Sequence, residues 1–201
     1  VSHTSARIGQ SSDMFERGRL SGVNTIAQVI GCELNMTCKE AAEILRNAPH
    51  QHGSPPNYEE TRFVISEEYP RVICIDSASL VKPEDAGQIV VTGSHGGLIG
   101  GKKEKAFNVD AAVTIFNDAG VGIDEAGIGR LAPLEERGIA AVTVAHSSAA
   151  IGNSRSTYED GVISYANSIA LELGAEEGGP VKAFIKSARR KISSKQNNGR
   201  L

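Results

Sequence analysis

Polar side chains gather directly after four short apolar runs, and that placement is the strongest chemical signal in the chain. Val72 to Ile75 leads into Asp76, Ser77 and Ser79, and Ile89 to Thr92 leads into Gly93-Ser94-His95-Gly96-Gly97. Ala111 to Phe116 leads into Asn117 and Asp118, and Ala140 to Val144 into His146, Ser147 and Ser148. A carboxylate facing an imidazole orients its tautomer and holds its charged form, so Asp118 with His95 is the expected proton-transfer pair. Ser94 as nucleophile completes a set suited to acyl or phosphoryl transfer, and His146 is the fourth catalytic candidate. Glycines at 96 and 97 let backbone N–H groups approach an anion, with the positive end of a following helix behind them. Asp76, Gly96, Gly97, Asn117, Ser147, Ser148 and Arg155 are the expected substrate-binding residues. Arg155 is preferred to Arg130 as the partner of a carboxylate or phosphate, because it lies in the loop after a strand.

Plainer roles are open to the same residues: Asp118 as a helix cap, His95 bonded to a loop carbonyl, the glycines as a tight turn. The run G-S-H-G lacks the lysine of a P-loop and the spacing of a dinucleotide fingerprint. Thr92 also breaks the nucleophile-elbow pattern. His95, Asp118 and His146, with Asp76, are a workable donor set for a divalent metal, but no local metal motif accompanies them. No metal is therefore expected, and no cofactor is identified. The short serine-rich segments after strands resemble phosphosugar isomerase-type domains in general terms, with no diagnostic motif covering the chain.

The elements that must position these groups follow from the apolar pattern. Near-continuous apolar runs imply parallel strands buried on both faces, whose C-terminal ends share one edge, where α/β folds bind ligands. Phe63 to Ile65 reads as a fifth strand that makes the sheet mixed. Asp124 to Arg137 reads as a helix closed by Gly138, and Thr37 with Glu40 as a capping box before another helix. The order predicts a three-layer α/β fold, a mostly parallel sheet flanked by helices.

Residues 3 to 31 and 146 to 174 are one segment written twice, with 13 identities in 29. Ordinary residue frequencies give roughly two. His3 matches His146, Ser5 matches Ser148, Ser11 matches Ser154, and Asn24 matches Asn167. Leu20, Val23, Ile26, Ala27 and Ile30 recur as Ile163, Ala166, Ile169, Ala170 and Leu173, an apolar stripe at helical spacing. Strands precede the second copy but not the first. The organisation expected is a helical half-repeat over 1–47, a linker or exposed loop over 48–61, a complete α/β unit over 62–192 and a basic flexible tail over 193–201. The first stripe is expected to pack on residues 62–192 or on a second chain.

Composition narrows the class. The 201 residues are 40% hydrophobic and 22% charged, which indicates a soluble globular protein. The apolar runs are too short to span a bilayer, and no signal peptide opens the chain, so the cytoplasm is expected. Cys32, Cys38 and Cys74 fit no zinc spacing and read as reduced thiols, while His50 and His52 sit unliganded in the loop. After residue 178 there are seven basic side chains and no acidic ones, leaving 14 basic and 24 acidic groups on residues 1–177, a balance of −10. An acidic body argues against nucleic acid. The expected function is an enzyme acting on a small polar or anionic metabolite at the sheet edge, with hydrolysis as its reaction. The alternatives are a non-catalytic small-anion or phosphosugar-binding regulatory domain, or a structural subunit. Expected partners are the small-molecule substrate and either a second copy or a partner chain completing the first repeat.

Overall fold

The computed structural model describes residues 1–49, 53–54 and 56–198. Six strands form one mostly parallel sheet in which sequence neighbours are also spatial neighbours. β1 (Arg62–Ser66) runs antiparallel to β2 (Val72–Ile75). β2, β3 (Ile89–His95), β4 (Val113–Asn117) and β5 (Ala140–Val144) are parallel, and β6 (Ile163–Ala166) returns antiparallel to β5.

Alternate side chains of a strand point to opposite faces, so an all-apolar strand must be covered twice. Val72, Cys74, Val91, Ile115 and Val142 pack on one face with Ala170, Phe184, Ile185 and Ala188. Those partners come from α6 (Ser168–Glu172) and α7 (Val181–Asn198), beside which α5 (Ser154–Asp160) also lies on the sheet. Ile73, Ile75, Val90, Phe116 and Ala141 pack on the other face, against Ala106, Phe107, Leu131 and Leu134. Burial pushes the Cys74 thiol up to about 12, which leaves it protonated and inert.

Several expected helices are replaced by tighter or extended backbone. In place of one helix over 124–137 the chain makes a 3₁₀ segment, Ile123–Ile128, interrupted by positive φ at Asp124 and Glu125. A single-turn α-helix, α4 (Leu131–Glu136), follows. Gly127 and Gly129 weaken helix in this stretch, and 3₁₀ turns need fewer consecutive residues. The helix expected to include Ile163 and Ala166 is instead strand β6, whose ladder with β5 decides between two patterns that its apolar spacing fits equally. Asn167 then caps α6, its Oδ1 accepting from the Ala170 N–H at 3.0 Å. The basic terminus expected as a tail from residue 193 stays helical to Asn198. His50 and His52 lie outside the described residues.

The N-terminal segment contributes α1 (Ser11–Arg17), α2 (Thr25–Ile30) and α3 (Cys38–Arg46), the last closed by the expected Thr37–Glu40 capping box. Leu20, Val23, Ala27 and Ile30 are half-buried, while Ile26 is 63% and Val29 84% exposed. Of the stripe, Ile26 is thus left uncovered by residues 62–192. Contact with the body runs through residues 3–17: the Gly9 carbonyl accepts from Gly100 N–H at 2.8 Å, and Arg7 pairs with Asp124 at 2.9 Å. Short loop contacts dock the segment.

Asp76 fixes the end of β2. Its Oδ1 accepts from the Ser154 N–H and hydroxyl at 2.9 and 2.8 Å, and its Oδ2 from the Thr61 N–H and hydroxyl at 2.8 and 2.6 Å. Gly93 lets α5 approach, since a Cβ there would lie 2.5 Å from the Asn153 nitrogen. Burial pushes the Asp76 carboxyl up, but the four hydrogen bonds outweigh it and hold it below the ordinary carboxylate range. A depressed pKa contributes stability above the unfolded value of about 4 and loses it as pH falls through the folded value. Asp76→Asn is expected to cost about 1–3 kcal/mol at neutral pH and to flatten the decline of melting temperature below about pH 4. Thermal melts from pH 7 to 2 check this, and parallel curves for the two proteins would count against the clamp.

Candidate functional site

The loop after β4 is the most strained backbone among the described residues. Ala119, Gly120, Val121 and Gly122 have φ of 49°, 78°, 61° and 73°, and Asp124 and Glu125 follow at 55° and 53°. Left-handed conformations of non-glycine residues cost about 1–3 kcal/mol each and persist where surrounding contacts over-determine them, as at binding sites. Here the contacts are specific. The Asn117 side chain accepts from the Ala119 N–H at 2.9 Å while donating to the Ala149 carbonyl at 2.9 Å. The Ile123 N–H donates to the His3 carbonyl at 2.8 Å. Glycine is required beneath His3: a Cβ at Gly120 would lie 3.1 Å from the imidazole, and one at Gly122 2.8 Å from the His3 carbonyl oxygen.

Asp118 sits at the centre of this loop, 3% exposed. Its N–H donates to the Val144 carbonyl at 2.8 Å, carrying the β4–β5 ladder one residue past β4. Its Oδ1 accepts from the Gly120 N–H at 2.8 Å and the His146 N–H at 2.9 Å, and lies 3.4 Å from His146 Nδ1. The His146 side chain is otherwise open, at 59% exposure, and its ring centroid lies 6.4 Å from that of His3. The Asp118 carboxylate thus orients His146, with His3 opposite.

His95, the expected partner of Asp118, forms no hydrogen bond with it. His95 ends β3, where its Cα partner is Asn117, and its Nδ1 accepts from the Gly97 N–H at 3.1 Å. Burial, and then the charge of Arg130, hold its pKa below the ordinary histidine value. Gly9 covers the ring, with a hypothetical Cβ 3.3 Å from Cε1. A covered, neutral imidazole with Nδ1 already accepting is a structural group. Ser94 is likewise engaged away from any histidine, its Oγ accepting from the Ala78 N–H at 2.9 Å.

The remaining expected residues divide by role. Gly96 packs against the Gly127 carbonyl and Gly97 against Ile8, so both serve loop packing more directly than an anion. Ser148 donates to the Ala145 carbonyl at 2.8 Å and accepts from the Val162 N–H at 2.9 Å. Ser147 is exposed and forms no hydrogen bond among the described residues. Arg155 stacks over the Phe63 ring at 4.4 Å, while Asp76 is saturated by Thr61 and Ser154. Among the described residues no group of three or more His, Cys, Asp or Glu side chains could hold a metal ion. No described helix is long and apolar enough to cross a membrane.

Two residues that bear on the site were not among the expected ones. His3 was marked by its repeat partner His146, and that was the signal that could have found it. Arg130, buried behind His95, stands alone as a charge in the apolar run Gly127 to Pro133. Compared with known families, curated proteins and solved structures, the chain finds no match.

Asp118→Asn keeps the size of the side chain and leaves Oδ1 to accept both backbone N–H groups, but it removes the carboxylate charge beside His146 Nδ1. The unfolding free energy is expected to fall by about 1 kcal/mol or less, since both backbone bonds persist. Nitrogen chemical shifts of the His146 ring should lose the bias towards a protonated Nδ1 while those of His95 stay in place. Unchanged His146 shifts in a folded Asp118→Asn protein would contradict the pairing.

Proposed function

We propose that the chain is an enzyme acting on a small polar or anionic molecule at the C-terminal edge of the sheet, with hydrolysis as the reaction class. His146 is the general base, Asp118 orients its ring from the Nδ1 side, and His3, with its ring 6.4 Å away, is a second proton donor or acceptor. The observation that carries this reading is the buried Asp118 carboxylate 3.4 Å from the Nδ1 of an otherwise exposed imidazole. Such a base activates water without a side-chain nucleophile, which fits the engagement of Ser94 with Ala78. The run of left-handed residues beside it supports the reading, because strain of that kind collects at working sites.

We also infer that the N-terminal segment duplicates the C-terminal one in structure. Ser5 donates to the Ser2 carbonyl and accepts from the Arg19 N–H, both at 2.9 Å, matching the bonds of Ser148 to Ala145 and Val162. Asn24 caps α2 as Asn167 caps α6, and the bridges Arg19–Thr37 and Val162–Pro180 differ by the same 143 positions. Residues packed on both sheet faces support the three-layer arrangement. Ile169 packs against the sheet core while its counterpart Ile26 is exposed, which supports a second copy or a partner chain over the first repeat. Three free thiols fit a reducing, cytoplasmic setting.

A turnover screen against small carboxylic and phosphoric esters, followed by mass spectrometry, tests the function. His146→Gln is expected to lower turnover of any active compound by about 10²–10⁴-fold, with Ser94→Ala close to wild type. Compounds bound yet recovered unchanged would favour a sensor, and full activity in His146→Gln would remove the proposed base.

A further inference from the structure

A second place in the fold is built for charge recognition, and it lies on different residues from the histidine pair. Arg130 is 4% exposed, yet its guanidinium lies within 4.0 Å of no carboxylate among the described residues. Arg62, Arg137 and Arg189, all partly buried, pair with Asp85, Asp110 and Glu68, whereas the less buried Arg71 donates only to the Glu84 carbonyl. Burial pulls Arg130 down to about 10, which still leaves it charged at neutral pH. A buried charge without a counterion is unfavourable, and such groups persist where a ligand completes them.

The guanidinium is also held in one orientation. Its Nε donates to the Gly97 carbonyl at 3.0 Å, its Nη1 to the Ala106 carbonyl, and its plane lies 5.0 Å from the Phe116 ring. Nη2 forms no hydrogen bond among the described residues. The fully buried side-chain nitrogens and oxygens without a partner there are Thr114 Oγ1 and Arg189 Nε, so Nη2 is not fully enclosed. Arg130 lines a cleft of about 330 Å³ together with Ser79, Lys105 and Asn108, walled by Ile99 and Phe107. None of the residues lining this cleft is acidic. Two cations, a hydroxyl and an amide around a small concavity provide donors suited to the oxygens of one small oxyanion.

We propose that the cleft beside Arg130 binds a small oxyanion, a carboxylate or phosphate group, with Arg130 Nη2 as the fixed donor and Lys105 as the mobile one. Arg155, stacked on Phe63, does not serve this purpose. The site is independent of the His146 chemistry, so anion binding persists in His146→Gln whatever becomes of turnover.

The test titrates the intact protein with sodium phosphate and, separately, sodium acetate at constant ionic strength made up with sodium chloride, followed by amide chemical shifts. Saturable shifts at residues 79, 105–108 and 130 with either anion are expected, and the one that saturates identifies the oxyanion class. Lys105→Glu is exposed on the surface and should fold as wild type while weakening binding about tenfold or more. Arg130→Met should abolish binding, and if it does not fold, Lys105→Glu decides alone. No saturable response to either anion, or equal affinity in Lys105→Glu, would overturn the proposal.

Discussion

The buried carboxylate of Asp118 couples the parts of this molecule that no single strand connects. It stands one residue past β4, accepts from Gly120 in its own loop, and accepts from His146 in the loop after β5. Both bonds come from backbone N–H groups that have no other partner among the described residues. Both land on the same oxygen, Oδ1, so one atom ties the Asp118 loop to the loop after β5. The shape of the loop and the orientation of His146 therefore have one cause.

The N-terminal segment depends on that loop in turn. His3 lies on Gly120 and Gly122 because no side chain intervenes, and its carbonyl receives the Ile123 N–H. Arg7 and Arg17 both reach Asp124, whose left-handed backbone places its carboxylate beside them. These ion pairs are half exposed, so water and salt screen them. Glycine packing and the backbone bond matter more to docking than the charges do.

The parallel strands were legible because β2 to β5 are apolar on both faces, a pattern that few other structures produce. The connections were less legible. Asp124 to Arg137 has enough apolar and helix-forming residues to read as one helix, yet Gly127 and Gly129 let the backbone close tighter turns. Ile163 to Ala166 has spacing that suits helix or strand, and pairing with β5 settled it. Polar clusters at strand ends were visible, but not their partners: Asp118 lies between β3 and β5, and nothing local says that it turns to His146 instead of His95. Arg130 was undervalued because a loop arginine looked freer, whereas Arg155 finds Phe63 across the fold.

His3 and His146, 143 residues apart, lie with ring centroids 6.4 Å apart beside the carboxylate of Asp118. Proton–proton Overhauser spectroscopy on the selectively histidine-labelled protein tests it directly. Cross-peaks between the ring protons of His3 and His146 are predicted, consistent with centroids 6.4 Å apart, and they should vanish in His146→Gln. Sharp, assigned ring signals for both residues with no cross-peak between them would contradict the shared site.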